Sequence, residues 1–135
     1  MAANSAGVLA YIAWDDSQLV RRVAEVPGVL ATLVAAVAAG GAGAAPCLQN
    51  VAADSASMLA SIVWVGRDFV RQMVEVPGAV ATLVAALAAG GAGTTRRLHD
   101  MAADSSMVLR HIAAASAEFA RRVVEVPGAL PALWS

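Results

Sequence analysis

The sequence contains no lysine, a single cysteine, and only six aromatic residues among 135: three Trp, one Tyr and two Phe. A lone Cys47 cannot close an internal disulfide, which excludes a disulfide-stapled framework. The expected compartment is therefore the cytoplasm, with the nucleus left open. Charge is also scarce. Charged residues make up 14% of the chain, all nine basic residues are Arg, and the net charge is −1. That balance excludes a strongly basic nucleic-acid binder and an acidic tail. Apolar residues reach 59%, too many for an intrinsically disordered chain. The 34 alanines and the absence of Lys fit GC-rich coding, so the composition carries little functional information.

Two long stretches lack charge. From Val26 to Ala53 the only ionisable side chain is Cys47, and from Val76 to Thr95 there is none. A membrane helix needs roughly 20 consecutive, strongly apolar residues. Each stretch here is broken by Pro-Gly and by Gly-Gly-Ala-Gly, leaving dense runs of eleven residues, Val29 to Ala39 and Ala79 to Ala89. Eleven residues suit a buried core helix, so a membrane-associated protein using these Ala-rich helices is the secondary reading. The first residues have no basic segment ahead of the apolar ones and do not resemble a secretory leader.

What the chain does have is a repeat. Glu-Val-Pro-Gly begins at Glu25, Glu75 and Glu125, a spacing of 50 residues. Trp14 aligns with Trp64, Arg21 with Arg71 and Arg121, and Gly40-Gly41 with Gly90-Gly91 without a gap. Each unit reads as three helical pieces. The first runs from about Ser17 to Val26, preceded by Asp16, Gly66 or Ser116 as N-cap, and presents Leu19, Val20 and Val23 at helical spacing. Arg21 and Arg22 beside that stripe are expected to be solvated. Pro27-Gly28 turns the chain into the second piece, Val29 to Ala39, which the Gly tract closes. The third spans about Ala45 to Trp64, with Leu48, Val51, Ala52, Ser55, Met58, Leu59 and Ile62 facing inward. Asp54-Ser55 and Asp104-Ser105 offer caps that would split it, and the pattern does not decide between one helix and two.

A unit this small cannot bury its own apolar face, so units must stack and share one core. The expected core contains Leu33, Val34, Val37, Leu59, Ile62, Leu83, Val84, Leu87, Leu109 and Ile112. The fold class is all-α.

These residues resemble the armadillo repeat family. Gly128-Ala129-Leu130-Pro131-Ala132-Leu133 matches that family's bend and second helix, with Gly28-Val29-Leu30-Ala31-Thr32-Leu33 and Gly78-Ala79-Val80-Ala81-Thr82-Leu83 as close variants. Met58-Leu59-Ala60-Ser61-Ile62-Val63 looks like the family's third-helix ending, and the resemblance covers nearly the whole chain. It implies a right-handed superhelical α-solenoid, with HEAT-type repeats as a near neighbour. The single domain, 1–135, then divides into the end of a preceding repeat (1–14), two repeats (15–64 and 65–114) and a partial one (115–135). Two departures stand out. The unit is 50 residues against about 42 in the family. The Trp and Asn one turn apart on the third helix of importin-alpha-like members are replaced by Gly7 and Tyr11, Ser57 and Ser61, Met107 and His111. Recognition of nuclear signals is therefore not implied.

The residue types that catalysis requires do not converge. Cys47 aligns with Arg97 and reads as a half-buried structural cysteine rather than a nucleophile. His99 and His111 have no ligand partner at helical spacing, so no metal or other cofactor is expected. Gly90-Gly91-Ala92-Gly93-Thr94-Thr95 lacks the Lys of a phosphate loop and reads as an interhelical linker. The resemblance implies a non-catalytic scaffold binding a peptide or helix of a partner protein on its concave face. The candidate contact residues are Tyr11, Trp14, Ser57, Ser61, Trp64, Met107, Arg110 and His111. Packing of Trp14 and Trp64 between repeats is the competing reading. Both ends of the array are apolar: Val8, Leu9 and Ile12 lack a preceding unit, and Leu130, Leu133 and Trp134 lack a covering third helix. The expectation is a longer array, end-to-end self-association, or marginal stability.

Overall fold

The computed structural model describes residues 17–41, 43–92 and 95–134, and among these every regular element is an α-helix. They are α1 (Ser17–Ala24), α2 (Val29–Ala39), α3 (Pro46–Val65), α4 (Arg67–Glu75), α5 (Ala79–Ala92), α6 (Arg96–Ala115), α7 (Ala117–Glu125) and α8 (Ala129–Trp134). The 50-residue register holds to the residue for α3 and α6, and again for α4 and α7. Helices α2, α5 and α8 pack side by side, as do α3 and α6. Each second helix lies along the third helix of its own unit, α2 on α3 and α5 on α6.

The recurring Val-Pro-Gly segment is a type II turn. Pro27 fixes the second position and has no N–H to lose, while Gly28 takes φ 80° and ψ −2°, which a side chain would disfavour. The turn is closed by the Val29 N–H donating to the Val26 carbonyl at 3.2 Å. The same bond recurs at Ala79 to Val76 and Ala129 to Val126, with Gly78 and Gly128 also at positive φ. Because the residue before a proline is held out of the helical region, α1 ends at Ala24 rather than at Val26.

A second glycine position sets the distance between helices. A Cβ placed on Gly40 would overlap the Cβ of Ala52 and lie 2.6 Å from the Leu48 carbonyl oxygen. One on Gly90 would overlap Ala102 in the same way. Helices α2 and α3, and α5 and α6, thus meet backbone to backbone at these points. Gly40 is the C-cap of α2, as the sequence suggests, but Gly90 lies inside α5, which continues to Ala92. The expected linker at Gly90-Gly91 is a helical turn instead.

Nine of the ten expected core residues are buried, Leu33 and Leu83 completely, while Leu87 is partly buried against the core. Helix α3 is continuous through Asp54-Ser55, and α6 through Asp104-Ser105, with Ser55 and Ser105 wholly buried. A helix split there would expose the Ala52, Ala56 and Leu59 stripe, all fully buried. Leu48, expected inside, is exposed. Cys47, expected half-buried, is exposed in the first turn of α3.

Candidate functional site

The third helices carry three arrangements of polar and aromatic side chains that the 50-residue register makes comparable.

The first lies on the face of α3 and α6 turned away from the second helices. Trp64, at the end of α3, is 72% exposed, so it does not pack between repeats as core. Its indole meets the His111 imidazole edge to face, with ring centroids 5.7 Å apart and planes at 88°. This is a favoured aromatic geometry, and it bridges two units. Ser57 and Ser61 continue the face along α3, half-buried, with the Ser61 hydroxyl donating to the Ser57 carbonyl at 3.1 Å. Met107, 42% exposed, lies one turn before His111 on α6. The structure therefore brings Trp64 and His111 together, with Ser57, Ser61 and Met107 on the same two helices. Arg110 is exposed but falls elsewhere, at the position that corresponds to buried Ala60. Tyr11 and Trp14 lie outside the described residues.

A polar clasp joins the same two helices near their N-termini. The Arg97 guanidinium donates through Nε to the Asn50 side-chain oxygen at 2.8 Å and stands 3.8 Å from the Asp54 carboxylate. Beside it the Thr95 hydroxyl donates to Gln49 Oε1 at 3.3 Å, and Thr95 accepts the Leu98 N–H as N-cap of α6. Sequence reasoning missed this clasp. Its only trace was that Arg97 stands where the preceding unit has Cys47. One unit on, Asp100 and Asp104 occupy the positions of Asn50 and Asp54, and among the described residues neither has an ion-pair partner. Burial raises the pKa of Asp104 above its ordinary value, and the negative charge of Asp100 adds to the rise.

The third arrangement joins the first helices. Arg21 is exposed, as expected; from there it donates to the Val65 carbonyl at the end of α3 at 2.7 Å and lies 5.6 Å above the Phe69 ring. A cation at the C-terminal carbonyls of a helix and over an aromatic face gains from both. The corresponding trio, Arg71, Ala115 and Phe119, is not closed. Instead Arg122 lies over Phe119 from the same helix at 5.7 Å, held by Glu118 at 3.1 Å. In the closed junction the residue corresponding to Arg122 is uncharged Gln72, which leaves the Phe69 ring to Arg21. A cleft of ≈790 Å³ consequently opens between α4 and α7, lined by Arg67, Arg71, Glu75 and Phe119 among others.

No single described helix is long and apolar enough to cross a membrane. Two bent pairs reach that apolar length together, α1 with α2 at 89° and α4 with α5 at 95°. Among the described residues no three His, Cys, Asp or Glu side chains gather in a metal-binding group. The chain matches no protein-family model, no curated protein and no solved structure.

Proposed function

We propose that the chain is a non-catalytic, armadillo-type scaffold, a right-handed α-solenoid whose third helices bind an extended peptide or a helix of a partner protein. The observation that carries this reading is Trp64. A tryptophan 72% exposed, in edge-to-face contact with His111 from the neighbouring unit and with Met107 one turn before that histidine, offers a large apolar surface. A tryptophan this exposed gains little from the core, and tryptophan is among the residues enriched at interface hot spots. The 50-residue register, the Pro-Gly turns and the stacking of like helices on like supply the support for a solenoid. Fold resemblance adds the choice of face. The alternative, a membrane-associated protein, draws on α2 and α5, whose Leu33 and Leu83 are already wholly covered by protein.

The test is selection of peptides from a displayed random library on the immobilised protein, repeated with Trp64→Ala and His111→Ala. The reading expects enriched sequences whose binding falls at least about tenfold with Trp64→Ala, in keeping with truncation of an aromatic anchor. Sequences that bind the Trp64→Ala protein equally well would remove this face as the binding surface.

A further inference from the structure

The two junctions between successive first helices are built from corresponding residues and differ in state. Between α1 and α4, Arg21 donates to the Val65 carbonyl at 2.7 Å and lies over the Phe69 ring. Between α4 and α7 the corresponding residues are Arg71, Ala115 and Phe119, and all three line one cleft. Every residue of both trios is among those described. Arg71 is exposed and, among the described residues, makes no hydrogen bond, ion pair or ring contact. Glu75, one turn after it on α4, is not paired with it. The Phe119 ring is held instead by Arg122, 5.7 Å from its centroid and bonded to Glu118 at 3.1 Å. With side chains 49% and 61% exposed, this i, i+4 pair is weak and screened by salt. The closed junction has Gln72 at that place, with no charge to contest the ring.

From this difference we infer that Arg71 is a strap poised to close the second junction. It displaces Arg122 from the Phe119 ring and donates to the Ala115 carbonyl, as Arg21 does to Val65 one unit earlier. The two arginines exclude each other, because two guanidinium charges brought to one ring repel. The closed form gains a cation at the C-terminal carbonyls of α6, while the open form keeps the pair of Arg122 with Glu118. Salt weakens both that pair and the repulsion between the arginines, so rising ionic strength favours closure. The effect of closure on the Trp64 face rests on the proposed function; closure itself does not. Ala115 lies one turn after His111 on α6, and α4 begins at Arg67, in the turn that follows Trp64. Drawing α4 onto the end of α6 therefore draws together the two helix ends that carry Trp64 and His111.

Arginine side-chain NMR of the full chain reads the strap directly, since a ring current shifts the resonances of a guanidinium lying over an aromatic face. At low salt the shift is expected for Arg21 and Arg122 and not for Arg71. Arg122→Gln gives the second junction the residue of the first, and there Arg71 should acquire a shift like that of Arg21, lost again when Phe119→Leu is added. In the parent chain the same change should come with salt, at about 1 M, where the screening length is only about 3 Å. Urea midpoints at low salt supply a second reading: Arg71→Ala should leave the parent unchanged and lower the midpoint of the Arg122→Gln chain. An Arg71 that keeps the shifts of a free arginine in Arg122→Gln, or in the parent at every salt concentration, would overturn the proposal. So would an Arg71→Ala effect equal in the two backgrounds. The His111 ring resonances should move as Arg71 closes; if they stay, the link to the Trp64 face is overturned, whatever peptides that face selects.

Discussion

Replacing Gly90 by alanine sets two effects against each other. Gly90 lies within α5, and alanine in a helix interior is favoured over glycine by about 0.8–1.0 kcal/mol. Propensity alone therefore predicts a more stable protein. The structure predicts the reverse. The new methyl would overlap the Ala102 Cβ and lie 2.8 Å from the Leu98 carbonyl oxygen; the one is fixed directly to the α6 backbone and the other is part of it, so neither can swing away. Relief requires α5 and α6 to separate along a line of contact that Leu83, Leu98 and Leu109 share, all at most 4% exposed. Overpacking of this kind costs typically about 1–3 kcal/mol, and the upper part of that range applies when helices rather than rotamers must move. The expected net effect of Gly90→Ala is a loss of about 1–2 kcal/mol, read as a lower urea midpoint at unchanged slope. Ala102→Gly in the same background should restore part of the loss by removing one of the two overlapping methyls, giving a favourable coupling energy in the double-mutant cycle. Gly41→Ala is the control, since a Cβ there meets nothing within 4 Å. A Gly90→Ala protein as stable as the parent, or more so, would refute the close approach of α5 and α6.

Gly78→Ala should cost about 1–2 kcal/mol although its Cβ would meet nothing, because φ there is 75°. Chemical denaturation checks this beside Gly41→Ala, which should be neutral or stabilising. Arg97→Ala should cost about 0.5–1 kcal/mol, less at high salt, through loss of the bond to Asn50 and the half-exposed pair with Asp54. Asp104→Asn should stabilise the protein at neutral pH. The folded state holds the Asp104 pKa above the unfolded value of 3.8, so ionised Asp104 opposes folding fully above the raised value. That penalty disappears below 3.8, where both states are protonated, and urea midpoints of the two proteins should converge there.

The parts of this fold that were legible in the sequence are those fixed by local chemistry. Pro27-Gly28 and Gly40 bracket α2, whose observed limits are Val29 and Ala39 as read from those residues. Apolar spacing placed nine of its ten expected core residues correctly, though the buried core also takes in Phe69, Met73, Met101 and Val108, which that list lacks. What was not legible depended on partners distant in sequence. Whether Asp-Ser breaks the third helix is settled by packing between units: α3 and α6 both run through it, with Ser55 and Ser105 wholly buried. Arg21 is exposed as read, but its bond to Val65 and its place over Phe69 were not legible, because both belong to the next unit. The Gly tract was not legible either: Gly40 ends a helix while Gly90 does not, although the flanking residues are nearly the same. At the candidate site, types and register pointed to Trp64 and His111 on neighbouring third helices, but only the packing of α6 on α3 shows that they touch. The same packing places Arg110 on the open side of α6.

The central claim is that the exposed Trp64–His111 face is where a partner binds. It is tested most directly by two-dimensional heteronuclear NMR of the chain titrated with a peptide selected on it. The account predicts shifts concentrated on the Trp64 indole N–H, the His111 ring and the Met107 methyl, with intermolecular contacts from the peptide to Trp64. Shifts gathered instead along the cleft between α4 and α7, with the Trp64 indole unmoved, would contradict it.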